Sequence, residues 1–189
     1  MNNSTQKQLF ALFDRQQRLW QKNHPSTFVQ RLDPEWASPC QVGDVQDGEI
    51  QWQSIKREPV ADLKNIEQAL DIQLHPSIVD FFCSAYADCI ACLYNEHPID
   101  LIQVWNDEDF KLLQENMIAH FMMQKRLKQP ASMFIASCTD EMQIISILNE
   151  TGQVQLETLG KGQEKILADN LPLFLDKLTP YIPNDAVYL

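Results

Sequence analysis

The stretch Val104-Trp105-Asn106-Asp107-Glu108-Asp109-Phe110, running on to Gln124-Lys125-Arg126-Leu127-Lys128, decides how the chain is read. An apolar, strand-like run from Ile99 to Trp105 arrives at Asn106. A short amide there accepts from the orphan N–H groups of a first helical turn. Three acids follow at once, where the positive end of a helix dipole favours anions. Phe110, Leu113, Met117 and Phe121 recur at helical spacing and make one buried stripe. Lys125, Arg126 and Lys128 fall in the last turns, where cations are favoured, and Pro130 lies just beyond. The pattern predicts a central helix docked on a sheet that the rest of the chain supplies.

Upstream, Thr5 and Gln8 form a capping-box pattern, and Leu9, Leu12, Phe13, Leu19 and Trp20 predict a helix over 5–22. Pro25, Pro34 and Pro39 then argue against any regular element, while Phe28, Leu32 and Trp36 predict a segment pinned to the domain. Cys40–Val45 and Glu49–Ile55 flank Asp47-Gly48, a hairpin signal. Asp62 reads as the cap of a short helix with Leu63, Ile66, Ala69 and Leu70 inward, and Pro76 opens a second one through Phe82. Tyr86–Tyr94 and Ile99–Trp105 read as strands.

Downstream, Met133–Cys138, Met142–Leu148 and Val154–Leu159 are apolar and strand-like, the last two joined by Asn149-Glu150-Thr151-Gly152. Pro172 starts a final helix that Pro180 and Pro183 end. The expected fold is therefore α+β, a mostly antiparallel sheet with packed helices in a single domain over 1–189.

With 189 residues and 44% hydrophobic content, the chain is long enough to bury a core without disulfides. A formal net charge of −11 argues against nucleic acid, whose binders carry a basic footprint, and favours either solubility or a basic partner. No run approaches the length of a membrane span, and the N-terminus has no apolar leader pattern. Five cysteines, several in apolar runs, fit reduced thiols used as small hydrophobes. Cys89-Ile90-Ala91-Cys92 lies in a strand pattern that would point its two thiols to opposite faces, so both are expected in the core. His120 sits beside the apolar stripe and is read as structural. No phosphate loop, dinucleotide fingerprint, nucleophile elbow or two-histidine metal motif is present, so neither cofactor nor metal is expected.

The acids remain. Asp88, Glu96, Asp100, Asp107, Glu108, Asp109 and Glu115 are opposed only by Lys111, and Asp140, Glu141, Glu150 and Glu157 by no base. A capped helix with solvated loops accounts for Asp107–Asp109 taken alone. A cluster at one end of the sheet would instead imply a partner, since like charges placed together destabilise the fold.

The run Leu101–Phe110 resembles the corresponding stretch of the bacterial Syd family, the SecY-interacting proteins. So do Gln114–His120, Gln124–Lys128, Phe134-Ile135-Ala136 and Glu157-Thr158-Leu159-Gly160, and Ser38-Pro39-Cys40 and Leu74–Phe82 are similar too. The resemblance implies a small SUKH-superfamily fold without catalysis. It implies loose attachment to the cytoplasmic face of the inner membrane through SecY. An electronegative concave surface would meet basic cytoplasmic loops of SecY, checking improperly assembled SecY or restraining the translocase. Of the acids, Asp107, Glu108, Asp109, Glu115, Glu141 and Glu157 coincide with the matching blocks and Asp88 with a looser one. These are the expected partner-binding residues; Glu96 and Asp100 fall outside the blocks.

Two alternatives use the same acids. An immunity-type SUKH protein would neutralise a basic toxin domain. A metal-dependent hydrolase would need carboxylates converging on an open ligand position.

Overall fold

The computed structural model describes residues 4–24 and 27–183, so Pro25 lies outside the described residues. Helix α1 spans Ser4–Asn23. Thr5 therefore lies within the helix and not at its cap.

The aromatic residues after α1 do form an element. Phe28–Arg31 is a strand, β1, because it pairs with β3 (Glu49–Trp52), whose other edge takes β2 (Gln41–Gln46). Pro34–Trp36 makes one 3-10 turn. The β2–β3 turn has Asp47 at φ 54° and Gly48 at φ 82°, two consecutive left-handed residues of the kind that match strand twist. Rings carry this small sheet onto the core. Trp20, Phe28, Trp52 and Trp105 succeed one another with centroids 5.1, 4.6 and 5.6 Å apart.

Ile55–Lys56 (β4) leaves the β3 ladder to pair with Ala85–Tyr86 (β5). Helix α2 covers Lys64–Leu70, where Asp62 Oδ1 accepts from the Lys64 N–H and Ala69 is exposed rather than inward. Helix α3 covers Pro76–Cys83.

The expected strand Tyr86–Tyr94 is broken in two. Ala87 donates its N–H to the Val104 carbonyl, and Asp88 Oδ1 accepts from the Cys89 N–H. These bonds pull Ala87–Cys89 out of any ladder, and β6 begins at Ile90 and ends at Tyr94. Cys92 is buried, but Cys89 precedes the strand and is exposed, so the core reading holds for one of the two thiols.

The main sheet has the order β11-β10-β9-β8-β7-β6-β12, all neighbours antiparallel. Its members are β7 (His97–Leu101), β8 (Ser132–Cys138), β9 (Gln143–Leu148), β10 (Val154–Thr158), β11 (Gly162–Ala168) and β12 (Thr179–Pro180). The last two escape the periodicity. β11 is a charged edge strand with bulged pairing, and β12 is a two-residue edge pair where proline is tolerated. The sheet curls strongly. Tyr94 Oη on β6 donates to the Leu167 carbonyl on β11 at 2.8 Å, although four strands lie between them. In a flat sheet those two strands would be about 24 Å apart.

Helix α4, Asp107–Leu127, lies on the sheet face that carries Phe134, Ser146, Gln155 and Glu157. Helix α5, Leu171–Lys177, packs with α1 against the opposite face, where Phe174 meets Tyr94 at 5.1 Å. The predicted cap holds: Asn106 Oδ1 accepts from the Asp109 N–H at 2.8 Å. No helix of the described residues is long and apolar enough to cross a membrane.

Candidate functional site: an acidic groove at the start of α4

Asn106 is 4% exposed and uses both halves of its amide. Its oxygen caps α4, and its Nδ2 donates to the Ala37 carbonyl at 2.9 Å. Two further bonds join the same segments. Trp105 Nε1 donates to the Trp36 carbonyl at 3.0 Å, and Ser38 Oγ donates to the Trp105 carbonyl at 2.5 Å. The 32–38 segment is thus fastened to the start of α4. It forms one wall of a groove of about 670 Å³, whose other wall includes Ala87, Asp88, Cys89 and Gln103.

Three carboxylates line this groove: Asp33, Asp88 and Asp109, with Arg31 as the only lining base. Each has one oxygen on a backbone N–H. Asp33 Oδ1 accepts from Glu35 at 2.9 Å, Asp88 Oδ1 from Cys89 at 2.7 Å, and Asp109 Oδ2 from Trp105 at 2.8 Å. That fixes each side chain and leaves its second oxygen for another donor. Water reaches Asp88, yet the surrounding walls raise its pKa above the usual value, and the Asp109 charge adds to the shift. Among the described residues no group of three or more His, Cys, Asp or Glu side chains could hold a metal ion. The acids are spread along the groove and do not converge on a point.

The other acids lie elsewhere. Asp107 is exposed and outside the groove lining, and its Oδ1 takes Arg57 Nη2 at 2.5 Å and Tyr86 Oη at 2.7 Å. Arg57 is itself buried between the Tyr86 and Phe110 rings, 4.6 and 4.3 Å from their centroids. Much of the Asp107 charge is thereby neutralised within the fold. Glu108 is exposed beside it, and Glu115 is exposed two turns further along α4. Glu141 is in the β8–β9 turn. Cys138 pairs with Ile99, near the Tyr94–His97 end of the β6–β7 ladder, whereas Asp88 precedes the Ile90 end.

Glu157 departs furthest from expectation. It is 1% exposed, because α4 covers the face of β10 on which it stands. Its Oε2 accepts from Ser132 Oγ at 2.5 Å, Ser146 Oγ at 2.8 Å and Gln155 Nε2 at 3.3 Å, and its Oε1 from Gln124 Nε2 at 3.2 Å. His120 Nε2 lies 2.9 Å from Gln124 Nε2. Serine, histidine and glutamate thus meet in one network, but Ser132 bonds the carboxylate directly and the site is closed to substrate. A nucleophilic triad needs the histidine on the serine and an open cleft. Burial lowers the His120 pKa, against the opposing pull of Glu157 and of the Ser132 backbone.

Sequence reasoning missed Asp33. Its signal is Asp33-Pro34-Glu35, an Asx-Pro turn start inside a proline-rich connection.

Comparison with known proteins finds relatives along nearly the whole chain. The family model described as Syd protein (SUKH-2) matches residues 6–180. A Protein Syd of Psychromonas ingrahamii is 66% identical over 182 residues, covering 96% of this chain and 99% of the relative. A Protein Syd of Tolumonas auensis is 43% identical over 143 residues, covering 76% and 73%. One of Aliivibrio fischeri is 36% identical over 179 residues, covering 95% and 97%. With the match running from α1 to the last strand, this chain belongs to the Syd family.

Proposed function

We propose that this chain is a non-catalytic protein-binding module that engages the SecY translocon subunit, with the groove between the 32–38 segment and α4 receiving basic cytoplasmic loops. Residues 1–189 act as one Syd-like domain. It sits loosely on the cytoplasmic face of the inner membrane through SecY, checking improperly assembled SecY or restraining the translocase.

The observation that carries this reading is the set Asp33, Asp88 and Asp109 lining one concave wall system, each held by a backbone N–H. Pre-fixed acids meet a cation without ordering long side chains first. Their spread suits an extended basic segment better than a single ion. Glu108, and less so the neutralised Asp107, extend the negative field beyond the groove lining. Glu115 and Glu141 lie outside the groove lining and are secondary in this reading, and buried Glu157 is a support of the fold.

The test is co-purification of SecY from detergent-solubilised membranes with the tagged full chain and with D33N/D88N/D109N. Asparagine keeps an oxygen acceptor for each backbone N–H while removing the charge. Wild type should retain SecY and the triple variant should lose it with its circular dichroism spectrum unchanged. Equal retention by both would refute the groove as the contact.

A further inference from the structure

The end of α4 opposite the groove carries the opposite charge. Lys125, Arg126 and Lys128 are all exposed there, and no Asp or Glu occurs between Glu115 and Asp140. A fourth base comes from a different element. A Cβ placed on Gly162 would stand 3.4 Å from Gln129 Nε2, so the β10–β11 turn, with exposed Lys161, rests against the end of α4. None of these four bases has an acid within ion-pairing distance among the described residues. They are 4 of the 15 Lys and Arg in a chain of net charge −11.

Helix-dipole compensation does not account for the set. A helix C-terminus presents about half a negative charge. Two acids stand by this end: Glu150, on the β9–β10 turn beside Pro130 and Ala131, and Glu164, which accepts from Thr158 Oγ1 next to Lys161. The four cations outnumber these two acids. Large apolar side chains also stand in water at this end, Met122 at 59% exposure and Leu127 at 45%.

We infer that this end of the molecule docks on an anionic phospholipid surface, the four bases lying against headgroup phosphates and Met122 and Leu127 entering the interface. Bases beside exposed apolar side chains match a surface that is negative outside and apolar just beneath. The acidic remainder of the chain does not forbid this. Helix α4 has 21 residues, so the groove lies about 30 Å away. Surface charges are screened over about 8 Å at physiological salt. The contact requires no SecY and is independent of the groove reading. Each base near such a surface strengthens binding about five-fold.

Flotation of the purified full chain with vesicles tests it, comparing phosphatidylcholine alone with an equimolar mixture of phosphatidylcholine and phosphatidylglycerol. The chain should float with the anionic vesicles and remain behind with the neutral ones. K125Q/R126Q/K128N/K161Q should lose about five-fold per base removed, with asparagine at 128 tolerating the left-handed backbone there (φ 55°). M122S/L127S should weaken flotation at unchanged charge, which keeps the test open if the quadruple variant fails to fold. Flotation with neither vesicle, equal flotation with both, or anionic flotation undiminished in a folded quadruple variant would overturn the inference.

Discussion

The two halves of α4 handle carboxylates in opposite ways. At its start, Asp88 and Asp109 line an open groove with Asp33, each fixed by one oxygen and free at the other. Further along, Gln124 of α4 helps enclose Glu157 among four donor side chains, with both carboxylate oxygens engaged. The first arrangement holds negative charge ready for something outside the fold. The second consumes it inside. Sequence neighbours do not sort these four acids, since Asp88 and Glu157 both stand among apolar residues; what separates them is the number of donors that tertiary structure brings to each. A carboxylate with unmet acceptor capacity on a concave surface can still meet an outside donor, whereas one enclosed among four donor side chains is committed to the fold.

Removing Glu157 should break the comparison most severely. Glu157→Ala leaves Ser132, Ser146, Gln124 and Gln155 without their shared acceptor in a closed site. The expected loss is about 3–5 kcal/mol, read from urea unfolding midpoints. A loss under about 1 kcal/mol would mean that the network has other acceptors and that Glu157 is not its centre.

Asn106 comes next. Asn106→Ala removes both the cap of α4 and the tie to Ala37, for about 2–3 kcal/mol. Asn106→Asp keeps the accepting oxygen and loses only the donor, for about 1 kcal/mol. Equal effects from the two variants would show that the bond to Ala37 carries the whole contribution and the cap none.

The histidine of the buried network sharpens the contrast through pH. Burial lowers the His120 pKa below its ordinary value. The unfolded chain therefore binds a proton that the folded chain refuses in the window between the lowered folded value and about 6.5. Stability contributed by neutral His120 is present above that window and declines as pH falls through it, by at most about 1.4 kcal/mol per pH unit. His120→Gln should flatten that slope in urea titrations at stepped pH. An unchanged slope would assign the decline to other groups.

Smallest in stability is the groove itself. Asp88→Asn should leave the unfolding midpoint within about 0.5 kcal/mol of wild type, as surface substitutions do. It should still alter recognition. With its pKa already raised, Asp88 takes up a proton earlier than an ordinary carboxylate as pH falls. Capture of a basic peptide should accordingly weaken on acidification through that range in wild type, and less so in Asp88→Asn.

Much of this was legible before the structure, for physical reasons. The Asn106 cap, the Asp47-Gly48 turn and the Pro76 start are local chemistry, written within a few residues. The groove wall is not local. Trp105, Asn106 and Ser38 join segments 67–69 residues apart, and no periodicity announces such bonds. Asp33 was hidden for that reason. Glu157 was misplaced for another: in β10 polar Gln155, Glu157 and their apolar neighbours alternate like a strand with one wet face, but α4 covers that face. Charged β11 was invisible because an edge strand needs no apolar alternation.

The central claim is that the groove acids capture a basic partner. The most direct measurement is the affinity of the full chain for a synthetic peptide of a basic SecY cytoplasmic loop across a salt series, for wild type and D33N/D88N/D109N. Wild-type affinity should fall steeply with salt, mainly through slower association. The triple variant should bind weakly at low salt and show little further dependence. A triple variant that keeps both the wild-type affinity and its salt slope would contradict the account.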